Sequence, residues 1–184
     1  MKLGLEKNRV STITGSGCLV FSKLRKAFCS FRVKREEIAG SAALADTHRK
    51  KARELEKGAD GCSDQKWALA AAARCDEAGE CNRLAGELRN IGNEEAAIGM
   101  EERAACAIAR AAAMTMNMGR YDEALALFQK AEAQLGSVVK GYIQAGNAEK
   151  AKMAGSVLVH VQNIIRDYNG TFLLMVDLPA TFPF

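Results

Sequence analysis

MGRYDEALALFQKAEAQL, residues 118–135, reads as a turn followed by an amphipathic helix. Gly119 supplies the positive φ that ends one helix, and Asp122 and Glu123 place negative charge on the first turn of the next, where the helix dipole favours it. From Tyr121 onward, Ala124, Leu125, Phe128, Ala131 and Leu135 recur at steps of three and four, which gathers them on one face. Ala124 and Ala131 are small where a neighbouring helix comes close. Tyr121 and Phe128 are large enough to fill the space between successive hairpins.

Two further turns share this pattern. Gly92-Asn93 and Gly146-Asn147 are each followed by acidic and alanine-rich helix formers, and the three turns are 27 residues apart. Gly, an aromatic, Ala, an aromatic and Ala at these offsets resemble the second half of a tetratricopeptide repeat, whose usual period is about 34. Two arrangements fit the shorter period. Either each period holds two short helices, with a break near Gly136-Ser137 in the second, or each is one long helix of an antiparallel bundle.

Composition points the same way. Hydrophobic residues make up 48 % of the 184, but aromatics only 6 %, and the two prolines fall within the last six positions. Alanine-rich, nearly proline-free chains favour closely packed helices over sheets. The expected class is all-α, antiparallel hairpins stacked as a short tetratricopeptide-like array, with a helix bundle as the alternative.

Charge divides the chain. Residues 1–35 hold nine basic side chains and one acid, a net +8, on a remainder that carries 17 basic and 21 acidic residues, a net −4. In this arm Phe21, Phe28 and Phe31 interleave with Lys23, Arg25 and Lys26, an amphipathic basic segment. An anionic membrane surface, an organelle-targeting function and nucleic-acid phosphate are its three candidate partners. Docking on the first helices, or disorder, is the plain alternative. The organisation read from sequence is a basic, partly disordered arm at 1–35, a helical array at 36–168, and an apolar tail at 169–184 expected to cap the end of the array.

Within the array, a helix is expected from Glu36 to Lys57 with Ile38, Ala42, Ala45 and Leu55 apolar. A second, opened by Ser63 or Asp64, carries Trp67 as a packing anchor and ends near Glu77. A third follows Ala78-Gly79 with Leu84, Leu88 and Ile91. Ala104, Ala105, Ala109 and Ala112 give a small-residue face, and Met114, Met116 and Met118 fill gaps. Val157, Leu158, Val161, Ile164 and Ile165 make the last strong helical face.

Chemistry-bearing motifs are sparse. The six cysteines show no Cys-x-x-Cys pair, and His48 and His160 are far apart in sequence, so neither metal nor cofactor is expected, and the thiols read as reduced packing residues. The Gly15 to Gly17 segment lacks the Lys-Ser or Lys-Thr of a phosphate loop. Asn169-Gly170-Thr171 fits a glycosylation sequon, expected to go unused in a chain that shows no secretory signal. No nucleophile accompanies either histidine, and Glu101, Glu102, Asp122 and Glu123 read as solvated helix faces.

The chain also resembles, loosely, the soluble attachment proteins of the SNAP family, on Phe21, Phe28 and Phe31 for an apolar membrane loop. The hairpin turns at Gly92-Asn93 and at Gly119 to Ala124 with Phe128, and a later helix at Val157 to His160, complete the likeness. That resemblance implies a non-enzymatic adaptor in membrane trafficking, cytoplasmic or peripheral to a membrane, that binds a protein partner. The partner face expected from the array is lined by Arg110, Arg120, Lys130 and Lys140. The competing expectation is an RNA- or ribonucleoprotein-associated subunit that uses the basic arm.

Overall fold

The structure, a computed structural model, describes residues 16–58 and 64–170, with side chains described for 34–58 and 64–168. The described residues form five α-helices and no strand: α1 Ser16–Lys57, α2 Asp64–Asn90, α3 Glu94–Asn117, α4 Tyr121–Gln144 and α5 Ala148–Gly170. The chain divides into two compact units, Met1–Glu37 and Ile38–Phe184. In the first, the backbone from Ser16 is helical as the leading part of α1. Everything below concerns the second.

Three turns of the same build join α2 to α5. Each spans three residues, Ile91-Gly92-Asn93, Met118-Gly119-Arg120 and Ala145-Gly146-Asn147. The central glycine has φ of 78°, 73° and 74° respectively, a left-handed conformation that an L side chain resists. The Gly92 N–H donates to Arg89 O at 2.9 Å and the Asn93 N–H to Leu88 O at 2.9 Å. The same pair of bonds recurs from Gly119 to Met116 O and from Arg120 to Thr115 O, and again from Gly146 to Ile143 O and from Asn147 to Tyr142 O. This is a Schellman motif, which uses up the carbonyls a helix end leaves unpaired. The next helix starts at once, because Asn93 Oδ1 accepts from the Ala96 N–H and Asn147 Oδ1 from the Lys150 N–H. Arg120 makes no such cap and pairs instead with Glu123.

The 27-residue period therefore holds one helix, not two. α4 runs through Gly136-Ser137 without a break, and α2 runs through Ala78-Gly79, where the sequence suggested a boundary. The cause is tertiary. A helical glycine costs about 1 kcal/mol against alanine, and burial of Leu135 and Val138 on either side of Gly136, and of Ala78 and Cys81 around Gly79, outweighs it.

Consecutive helices pack against each other as antiparallel neighbours. Longer bonds link alternate helices: Arg103 of α3 to Asp46 of α1 at 2.8 Å, Gln134 of α4 to Asn82 of α2 at 2.6 Å, and Lys150 of α5 to Glu95 of α3 at 3.0 Å. Odd and even helices thus form two layers, with α3 at the centre. Its buried residues go nearly all the way round, with Ala104, Ala105, Ala107, Ile108, Ala109, Ala111 and Ala112 all covered. Small side chains let four helices approach one. Phe128, Ala131 and Leu135 of α4 join Val157, Val161 and Ile164 of α5 in the main core. Tyr121, expected on the same face, is instead partly exposed at the start of α4, with its ring centroid 6.3 Å from that of Tyr168. Trp67 packs beside Leu55, Ala70 and Met114. No helix among the described residues is long and apolar enough to cross a membrane.

Candidate functional site

Where α1, α2 and α3 meet, the contact is charged. Glu77 of α2 is only 2 % exposed, and its two carboxylate oxygens are divided between helices. Oε2 accepts from Arg74 Nη1 at 2.8 Å, Oε1 accepts from Arg103 Nε of α3 at 2.9 Å, and Arg49 Nε of α1 lies 4.0 Å away. Glu56 of α1 accepts from Arg74 Nε at 2.7 Å and has Arg110 Nη1 at 3.9 Å, while Asp46 meets Arg103 Nη1 at 2.8 Å. Four guanidinium groups from three helices are set against three carboxylates.

Around them is a cavity of about 20 Å³ lined by Arg49, Arg74, Glu77, Arg103, Cys106, Ala107 and Arg110. That is room for one water-sized group. Its wall carries four positive charges and one negative, and Glu56 and Asp46, paired with three of these arginines, bring the balance to one positive charge. Arg103 Nη2 is buried without a hydrogen-bond partner among the described residues, and Arg74 Nη2, though 2.7 Å from Glu56 Oε1, is not aligned to bond it. Arginine holds its proton here, but the surplus is felt. Burial, then the neighbouring Arg53 and Arg103, press the Arg49 pKa below its ordinary value, and burial, then Arg74, do the same at Arg110. Burial also works against the charge on Arg103, yet its bond to Glu77 and the other nearby acids raise its pKa overall.

The thiol in this wall is inert by the same physics. Burial pushes Cys106 up to about 12 and Cys81 up to about 11, far from a reactive thiolate, and it raises Cys75 as well. All three are free. Among the described residues no group of three His, Cys, Asp or Glu side chains is placed to hold a metal ion.

The four residues expected to line a partner face do not converge. Arg110 belongs to the recess just described. Arg120 sits at the turn before α4 and pairs with Glu123, and Lys130 and Lys140 are exposed on α4. Ten residues apart on a helix, these two lysines point about 80° from one another. Phe21, Lys23, Arg25, Lys26, Phe28 and Phe31 fall on the leading part of α1, but their side chains lie outside the described residues, as do residues 1–15 and the tail at 171–184. Arg49, Arg74, Glu77 and Arg103 were not singled out from sequence. The signal was there in part: Arg49 and Glu56, and Arg103 and Arg110, are seven apart, hence on one face, and a central helix covered on all sides must bury whatever charges it carries.

Comparison of the chain with models of protein families, with curated proteins and with solved structures finds no significant match. The case for function rests on the geometry alone.

Proposed function

We propose that the chain is a non-enzymatic helical adaptor that binds an acidic segment of a partner protein, with the arginine recess between α1, α2 and α3 as the docking point. The observation that carries this reading is the recess wall, where four guanidinium groups face three carboxylates, Glu77, Glu56 and Asp46, around a cavity between helices, and the Nη2 atoms of Arg74 and Arg103 are buried without a hydrogen bond among the described residues. A wall that served stability alone would gain from matched charges or from apolar side chains, because burying ions costs more than their pairing returns unless every group is satisfied. An acidic side chain from a partner offsets the remaining positive charge and accepts from the buried Nη2 groups of Arg74 and Arg103. The rest of the molecule suits the task. Iterated hairpins are stiff, and they present helix faces whose positions change little on binding.

The test uses poly-L-glutamate as the acidic probe and fluorescence anisotropy as the readout. Binding to the full chain is expected to weaken by about tenfold or more in a variant carrying R49Q and R110Q, an effect of about 1.4 kcal/mol or more. A variant carrying R120Q, K130Q and K140Q is expected to bind nearly as tightly as the parent. Equal binding by all three chains, or none by any, would contradict the proposal.

A further inference from the structure

The far end of the array carries an apolar groove that the five helices leave open. α4 and α5 meet along a seam marked by the Tyr121–Tyr168 ring pair, 6.3 Å between centroids, and by Gln162 Nε2, which donates to Glu132 Oε1 at 3.0 Å. On the side of that seam away from α3, Leu125, Val139, Leu158 and Ile165 are only half-buried, and Ile143 and Val159 are 63 % and 54 % exposed. Helical spacing sets Leu125, Val139 and Ile143 in one row on α4, and Leu158 and Ile165 in a facing row on α5.

The 27-residue period says what such a row is for. Leu125, Val139 and Ile143 of α4 stand where α3 has Ile98, Ala112 and Met116. On α3 that row is covered: Ile98 is 2 % exposed and clusters with Ala151 and Ala154 of α5, and Ala112 is fully buried. The row that seats α5 on α3 is thus repeated on α4, with nothing seated on it among the described residues.

The neighbouring sequence supplies an occupant. From Gly170, near the Tyr121 end of the groove, the chain continues as TFLLMVDLPATFPF, residues 171–184, in which Asp177 is the one charged side chain. These fourteen residues lie outside the described ones. The groove from Leu125 to Ile143 is about 27 Å long at the rise of an α-helix, and fourteen residues in extended form reach up to about 46 Å. Pro179 and Pro183 bar a sixth helix of the array's length. A tethered segment also meets its seat at a high effective concentration, ahead of a free partner.

We propose that residues 171–184 fold back along the α4–α5 groove as an extended apolar strap, with Phe172 toward Leu125 and Ile165 and Phe182 toward Ile143, and so close the open end of the array. The recess between α1, α2 and α3 plays no part in this, so the two readings stand or fall separately.

Photocrosslinking in the full chain tests the strap, with p-benzoylphenylalanine in place of Phe182 and peptide mapping of the products. Phe182 lies twelve residues beyond Gly170, so the tether alone leaves it a radius of about 40 Å and does not place it. Products within one chain are expected on α4 between 136 and 143 and on α5 between 151 and 159. The same chain carrying I143D and V159D, both at exposed positions, is expected to give these products in about fivefold lower yield, since a charge under the strap has no partner there. Where that pair loses helical circular dichroism, I143Q and V159Q carry the comparison. Products on α1 or α2, products only between two copies of the chain, no products, or equal yields with and without the groove substitutions would each overturn the proposal.

Discussion

The two ends of the helical array are built on one frame and filled with opposite chemistry. Between α3, α4 and α5 the space is largely apolar: Phe128, Leu135, Val138 and Val161 are fully covered, and the buried Tyr142 hydroxyl donates to Glu102 at 2.8 Å. Between α1, α2 and α3 the matching space holds Arg74, Glu77 and Arg103, flanked by Ala45 and Ala52. The same stacking of antiparallel helices thus tolerates either filling. What differs is the use of the space. An apolar contact is complete once packed, whereas the charged one leaves the Nη2 atoms of Arg74 and Arg103 buried without a hydrogen bond among the described residues.

Breaking each end separately sharpens that contrast. Glu77→Gln removes the charge that arginines of three helices share and is expected to cost about 3–5 kcal/mol in denaturant melts. Phe128→Ala is expected to cost a similar amount, about 3–5 kcal/mol, through an unfilled cavity. Poly-L-glutamate separates the two. It restores part of the stability of Glu77→Gln, where the recess has become more positive, and does nothing particular for Phe128→Ala, since a ligand stabilises only the state it binds.

Glycines give the next scale of effect. A Cβ at Gly141 of α4 would lie 3.1 Å from Ile98 Cδ1 of α3, so Gly141→Ala is expected to cost about 1–3 kcal/mol by overpacking. Gly119→Ala has room but the wrong φ, and about 1–2 kcal/mol is expected to be lost. Gly136→Ala, on the same helix as Gly141 but facing open space, is expected to stabilise by about 0.5–1 kcal/mol. A lower melting temperature for that variant would mean that α4 is not one continuous helix.

The smallest effect concerns pH. Burial raises the Glu102 pKa, against the bond from Tyr142 that lowers it, so the fold favours the protonated carboxyl. A raised carboxyl pKa means a contribution that is full below the unfolded value, about 4.3, and is lost as pH rises from there through the higher folded value. Glu102→Gln keeps an acceptor for Tyr142 and no charge. It is expected to be slightly more stable than the parent at pH 7, with the gain vanishing below about pH 4. A gain that persists in acid would show that the ionised carboxylate is not the cause.

The apolar end was the legible one. Ala124, Phe128, Ala131 and Leu135, like Val157, Val161 and Ile164, announce themselves by spacing, and the three glycine turns by their common period; all are buried or turning as expected. Helix continuity was less legible. Gly79 and Gly136 look like breaks because local propensity says so, and only the packing around them overrides it. The recess was hardly legible at all, since an arginine at residue 74 or 103 reads as a solvated face unless one knows that α3 is covered on every side. Burial of a charge is a property of the assembled layers, and period alone does not reveal it.

Hydrogen exchange on the full chain, with and without poly-L-glutamate, tests the central claim most directly. Saturating probe is expected to slow exchange in the segments around Arg49, Arg74 and Arg103 to Arg110, and to leave α4 and α5 unchanged. Protection confined to α4 and α5, or none anywhere, would contradict the assignment of the recess as the place where a partner docks.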